Sequence, residues 1–249
     1  MWTLDAGAGL PLWRPTDAPD AILAFTTRHG GVSPPPFDSL NLGRSTGDRP
    51  EAVTENRRRL LDALGLDADH LATAGQVHGA AVGVAVAAGH HDGCDVLLTR
   101  TPGLALAVTS ADCLPLLLVA PGAVAAAHAG WRGTAAGAPR AAVRALLAAT
   151  GASPGQVQVH LGPCIRPCCY EVGPEVASRF PEASVSRVGD SWRLDLAAAA
   201  RLQLLEEGLP ASAVSDTGAC TACPQAPYFS HRRDRGRTGR LWGVAALRA

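Results

Sequence analysis

The stretch Leu104-Ala-Leu-Ala-Val-Thr-Ser-Ala-Asp-Cys-Leu-Pro-Leu-Leu-Leu-Val-Ala-Pro-Gly-Ala-Val-Ala-Ala-Ala-His-Ala129 decides how this chain folds. Its most apolar part, Leu104 to Val124, is interrupted by Asp112, Pro115 and Pro121, so it reads as buried strands rather than a membrane span. Leu104 to Thr109, Leu114 to Val119 and Ala123 to Ala127 are short β-rich runs separated by turn formers. The last two are too apolar to face water on either side, which predicts a sheet covered on both faces. A hairpin through Pro121-Gly122 would bring Cys113, just before the first run, beside His128, just after the second.

Further strands are expected at Ile22 to Thr27, Val82 to Val86, Asp95 to Thr99, Gln156 to Leu161 and Leu241 to Leu247. Asp48 with Glu51 three residues later is a capping box, which predicts a helix to Leu64 that stops at Gly65. Its Arg57 to Arg59 run is most simply a solvated face. Two more helices are predicted, Pro139 to Thr150 and Leu196 to Glu207. Arg28 to Gly43 is dense in Gly, Pro, Ser and Asn and must be a long ordered loop, a feature often tied to function. The segment Asp216 to Arg240 is also loop-like. No repeat or low-complexity linker marks a boundary, and 249 residues with 47% apolar content suit one domain, 1–249, with a sizeable core.

The 22 basic residues balance 22 acidic ones, so no global positive field draws the chain to nucleic acid or an anionic membrane; small molecules are the expected partners. All 22 basic residues are arginine. The lack of lysine excludes a Schiff-base lysine, a pyridoxal-phosphate anchor and a P-loop lysine. Seven cysteines in a chain this long do not make a secreted disulfide scaffold, and the N-terminus has no signal-peptide pattern, so a cytoplasmic, reducing setting is expected. The sequence carries no signal for oligomeric state.

His78 in Gln-Val-His-Gly, Cys113 in Ser-Ala-Asp-Cys-Leu-Pro and His128 in Ala-His-Ala-Gly-Trp-Arg-Gly are reactive groups in apolar, glycine-rich surroundings. Each alone would more often be an ordinary core residue. Together they supply two imidazoles and a thiolate, three ligands for one metal ion, with the fourth position open to water or substrate as catalytic zinc requires. Gly79, Gly130 and Gly133 beside them permit close backbone approach. Asp112 is an acid in an apolar run, which needs a partner or a proton-transfer task.

Several longer motifs carry a resemblance. Arg28-His-Gly-Gly-Val-Ser with Ser39-Leu-Asn-Leu-Gly, Gln76-Val-His-Gly, Thr109-Ser-Ala-Asp-Cys-Leu-Pro, Ala127-His-Ala-Gly-Trp-Arg-Gly-Thr, Gly162-Pro-Cys-Ile with Cys169-Tyr-Glu-Val, and Phe229-Ser-His-Arg-Arg-Asp with Thr238-Gly-Arg span nearly the whole chain. They resemble the purine nucleoside phosphorylase family formerly described as polyphenol oxidoreductase or laccase, whose bacterial members are also called peptidoglycan editing factors. Cys164, where alanine is usual, and Cys223, which adds a Cys-x-x-Cys to the tail, are departures. The resemblance implies a mixed-sheet α/β sandwich and one zinc ion held by His78, Cys113 and His128. It also implies purine nucleosides and phosphate as substrates: phosphorolysis of adenosine, inosine, guanosine and methylthioadenosine, with hydrolytic deamination of adenosine.

A cation there would activate water and polarise a purine atom. Asp112 is the candidate for proton transfer. For phosphate, with lysine absent, Arg28 is the first candidate cradle, against a loop-bracing role held equal, with Arg132 and Arg232 behind it. Copper at the same three ligands is possible, because two histidines and a cysteine match a blue-copper set. Laccase chemistry is disfavoured: its trinuclear cluster is rich in imidazoles, and this chain has eight histidines in all and no His-x-His pair. The main rival is a cysteine hydrolase, with Cys113 as nucleophile and His128 or His78 as base, acting on an amide bond in cell-wall precursor editing. A metal-dependent binding module is a third reading. Cys164, Cys168, Cys169, Cys220 and Cys223 offer a structural zinc knot, but ordinary buried thiols are the favoured reading there.

Overall fold

The computed structural model describes residues 2–5, 7–16, 18 and 20–249. Leu114–Ala120 and Ala123–Ala129 form the expected hairpin, turning at Gly122 with φ 73°. Its register pairs Ala129 with Leu114 and His128 with Pro115, so Cys113 and His128 lie at the same end. This hairpin is the centre of a six-stranded mixed sheet, in the order Val214–Asp216, Gln158–Leu161, Leu114–Ala120, Ala123–Ala129, Val96–Thr99, Val82–Val84.

A seven-stranded mixed sheet packs against it, in the order Trp2–Asp5, Leu12–Pro15, Ala21–Thr26, Leu241–Leu247, Ala105–Ser110, Leu71–Ala74, Gly89–His91. Alternation along the strands divides the apolar side chains between layers. Leu117, Val124 and Ala126 meet Phe25, Leu106, Val108 and Ala245 between the sheets. Leu114, Leu116 and Leu118 point the other way, against the helices Ala138–Thr150 and Leu196–Glu206. On the far side of the second sheet, Ala105, Ala107, Val244 and Ala246 pack with Leu60, Leu61 and Leu64 of the helix Pro50–Leu64. The result is a helix–sheet–sheet–helix sandwich, the mixed α/β class expected. Burial on both faces accounts for the unbroken apolarity of the central strands.

Other features differ from expectation. The N-terminal hairpin, the strands Leu71–Ala74 and Gly89–His91, and a small sheet of Glu171–Val172, Ser191–Leu194 and Val185–Val188 carry no strong alternating pattern. The capping box at Asp48 does not form, and the helix begins at Pro50 with Arg49 as an N-cap that makes no side-chain bond. Asp48 instead accepts hydrogen bonds from Ser33 Oγ (2.6 Å) and Asn41 Nδ2 (2.9 Å), because the long loop needs those polar groups satisfied. Within the arginine run only Arg58 is fully exposed. Arg57 stacks 4.6 Å over the Trp242 ring and donates to the Leu42 carbonyl. Among the described residues no helix is long and apolar enough to cross a membrane.

Residues 28–43 contain no helix or strand, and their order comes from Asn56 on the helix Pro50–Leu64. This fully buried amide donates to Ser33 Oγ and to the carbonyls of Ser39 and Asn41, and accepts from Val32 N–H at 2.8 Å. Asn56→Ala strands several buried backbone groups and is expected to destabilise the protein by about 3 kcal/mol. Urea unfolding measures this as a lower midpoint at unchanged slope.

Candidate metal centre

Asp95 sits at the head of the strand Val96–Thr99 and is completely buried. Its carboxylate accepts three successive backbone N–H groups, from Val77 (3.1 Å), His78 (3.0 Å) and Gly79 (2.7 Å). That cradle fixes a loop in which Gln76 (φ 24°) and His78 (φ 62°) take left-handed conformations unfavourable for residues with a Cβ. The same carboxylate accepts a hydrogen bond from His128 Nδ1–H at 2.8 Å, which leaves Nε2 free to face a metal. Burial alone would raise the Asp95 pKa, but the bonds from His128 and the backbone outweigh it and hold the carboxyl below its usual range.

The ligand atoms of His78, Cys113 and His128 lie within 4.8 Å of one another, close enough to share one ion after small side-chain adjustments. The two imidazoles meet edge to face, with centroids 4.9 Å apart. Gly130 closes the floor: a Cβ there would stand 2.7 Å from Cys113 Sγ and 3.3 Å from the His78 ring. Burial pushes the Cys113 thiol up, yet the His128 charge and hydrogen bonds from both histidines prevail and bring it to about 6. His128 moves the opposite way. Burial lowers it, and the Cys113 charge with the Asp95 bond raises it to about 9. The metal-free site is therefore a thiolate–imidazolium pair, ready to exchange its proton for a cation. The donor set, the oriented imidazole and the glycine floor fit a zinc ion with three protein ligands.

These ligands border a cavity of about 450 Å³, within the range of small-molecule sites. Ile165, Tyr170 and Leu196 give it apolar walls, and Arg132, Arg232 and Arg240 bring positive charge. Arg132 stacks 4.4 Å over Trp131, and Arg232 stacks 5.2 Å over Tyr170. Burial pushes the Tyr170 hydroxyl up to about 12, so it stays a neutral donor. Ser110 Oγ is buried at the cavity wall with no partner among the described residues. A second cavity of about 710 Å³ shares Gln76, Thr109 and Arg240 with the first. Its size does not make it the reaction centre, since the convergent ligands lie in the smaller one.

Asp112 also borders the metal cavity, with φ 90°. Its carboxylate accepts from Thr221 Oγ (2.6 Å) and from the Arg232 amide (2.7 Å). Arg28 lies elsewhere: it pairs with Asp38 at 3.0 Å, stacks over Phe229 and does not line the cavity. Sequence reasoning missed Asp95, Arg240, Tyr170 and Ser110. The signal for Asp95 was available, an acid leading the apolar run Val96-Leu-Leu98, the same anomaly that singled out Asp112.

A family model described as multi-copper polyphenol oxidoreductase laccase matches residues 22–248. A purine nucleoside phosphorylase of Deinococcus radiodurans is 44% identical over 248 residues, covering 96% of this chain and 94% of that protein. The chain belongs to this family. Another member, purine nucleoside phosphorylase YlmD of Geobacillus stearothermophilus, is 40% identical and spans 89% of the chain and 88% of its own length. The crystal structure of that YlmD superposes with TM-score 0.91 over 96% of both chains at 37% identity. A Bacillus licheniformis protein titled hypothetical protein YfiH superposes with TM-score 0.93 at 31% identity, over 99% of both.

Two outcomes follow from this geometry. Asp95→Asn loses the charge that orients His128 and is expected to weaken zinc binding about 10- to 100-fold, measured by chelator competition. In metal-free protein, Cys113 alkylation followed by peptide mapping should fall off as pH drops through about 6. An ordinary thiol would lose reactivity nearer pH ~8.5.

Proposed function

We propose that this protein is a zinc-dependent purine nucleoside phosphorylase that also deaminates adenosine. The observation that carries the proposal is the convergence of His78, Cys113 and His128 on a cavity with apolar walls and cationic groups. The names of the relatives from Deinococcus and Geobacillus point the same way. In this reading His78, Cys113 and His128 hold the ion, zinc by their donor types, with copper a competitor for the same ligands. When bound, it supplies Lewis acidity and lowers the pKa of water.

The chain's own residues bind and orient the rest. Ile165 and Leu196 offer an apolar surface to a purine, and Tyr170 and Ser110 offer hydroxyls to its heteroatoms or to the sugar. Arg132, Arg232 and Arg240 are the guanidinium groups in position to hold phosphate. Arg28 takes the loop-bracing role, since its guanidinium is already engaged by Asp38. Asp112 positions Arg232 through the backbone, and each of its oxygens keeps a lone pair for the proton-transfer role.

A second reading rests on one observation, the placement of Cys113 beside His128 with Asp95 on the far ring nitrogen. This is the arrangement of a thiol hydrolase, with Cys113 as nucleophile on an amide of a cell-wall precursor. Adenosine incubated with the zinc-loaded protein separates the two. Adenine and ribose 1-phosphate formed only with phosphate, and inosine formed without it, are the expected products. Both should vanish with the metal in Cys113→Ala and on chelation. Activity that survives complete chelation and disappears on alkylation would move the assignment to the thiol. Arg240→Gln is expected to raise the phosphate KM at least about tenfold, as loss of a charge-assisted bond does, while leaving deamination in place.

A further inference from the structure

We propose that Cys168, Cys169, Cys220 and Cys223 bind a second zinc ion, a closed structural site separate from the metal centre at His78, Cys113 and His128. The favoured sequence expectation there was ordinary buried thiols, but the fold brings two distant loops together. The four sulfurs lie within 4.8 Å of one another. Cys223 Sγ stands 3.7 Å from both Cys168 Sγ and Cys169 Sγ. Sulfurs at the corners of a zinc tetrahedron, about 2.3 Å from the ion, are about 3.8 Å apart. A disulfide would require about 2.05 Å, and all seven cysteines are free. Cys164 is fully buried beside the cluster and outside the set.

Ligand spacing and backbone donors are present at the cluster. Cys220-Thr-Ala-Cys223 has the Cys-x-x-Cys spacing of zinc ribbons. The amides of Arg166 and Ala222 both donate to Cys220 Sγ, the first at 3.4 Å. Arg233, paired with Asp234, wraps the same loop and donates to the carbonyls of Thr221 (3.1 Å) and Cys223 (3.3 Å). The two amides offset part of the negative charge of four thiolates on a divalent cation. Binding releases the four thiol protons to solvent and involves no oxidation.

The ion would clamp the connector after Gln158–Leu161 to the loop before Leu241–Leu247. The connector carries Ile165 and Tyr170, and the loop carries His231 and Arg232, all on the wall of the metal cavity. Its task is to reinforce two irregular segments that one parallel β-bridge, between Cys164 and Cys220, otherwise joins.

Zinc counted by elemental analysis on full-length protein tests this independently of nucleoside turnover. Wild type should hold two ions per chain, and a His78→Ala, Cys113→Ala double variant should keep one. Cobalt loaded into that variant should show the intense visible bands and sulfur-to-metal charge transfer of a tetrathiolate tetrahedron. Cys223→Ser should lose one ion and melt at lower temperature. If it fails to fold, the count on the double variant decides. A folded double variant without zinc, with thiols equally reactive before and after chelation, would overturn the proposal. So would a disulfide between Cys223 and Cys168 or Cys169 in protein purified without reductant.

Discussion

The arrangement of the candidate metal centre depends on one buried carboxylate. Asp95 has no contact with solvent, yet it stays charged because four groups favour the charge there: three backbone amides and one imidazole, which adds its electrostatic pull when protonated. Taking such a group out of water is unfavourable by several kcal/mol unless its partners are complete. That requirement couples the loop of His78 to the strand end of His128, so two ligands remote in sequence cannot be positioned independently. The left-handed backbone at His78 is maintained by the same bonds.

Around that carboxylate the sandwich supplies rigidity. Strands covered on both faces hold the ends of Leu114–Ala120 and Ala123–Ala129 in fixed register, which sets Cys113 beside His128 to within side-chain freedom. Irregular segments then meet at this end of the sheets. The Asp112 carboxylate ties the segment carrying Cys113 to Thr221 and Arg232, and the four-cysteine cluster lies where those segments run side by side. Small residues are as important as reactive ones, since a methyl group on Gly130 would occupy the space in which Cys113 and His78 approach.

The charge pattern is equally economical. With no lysine in the chain, every fixed cation at the cavity is a guanidinium, and each is stacked or braced: Arg132 on Trp131, Arg232 on Tyr170, Arg240 on the carbonyls of Thr238 and Gly239. A planar donor held this way loses little freedom when it meets an anion. Arg28 shows the limit of reading such groups from motif alone. Its glycine-rich neighbourhood suited a phosphate-binding and a loop-bracing role equally, and in the folded chain its guanidinium pairs with Asp38 outside the cavity lining.

The sequence by itself determined the layers and the hairpin that sets Cys113 beside His128. Apolar runs without alternation required a doubly covered sheet, and the turn at Pro121-Gly122 joined Cys113 to His128 because a hairpin is a local event. The Asp48 cap was misread because its carboxylate serves Ser33 and Asn41, partners in the long loop that no local pattern names. Tertiary structure alone decided that Asp95 orients His128, that Arg240 rather than Arg28 faces the cavity, and that Cys168 and Cys169 meet Cys220 and Cys223. Each depends on contacts between segments far apart in the chain, and such contacts are fixed by packing and by satisfying buried polar groups rather than by periodicity.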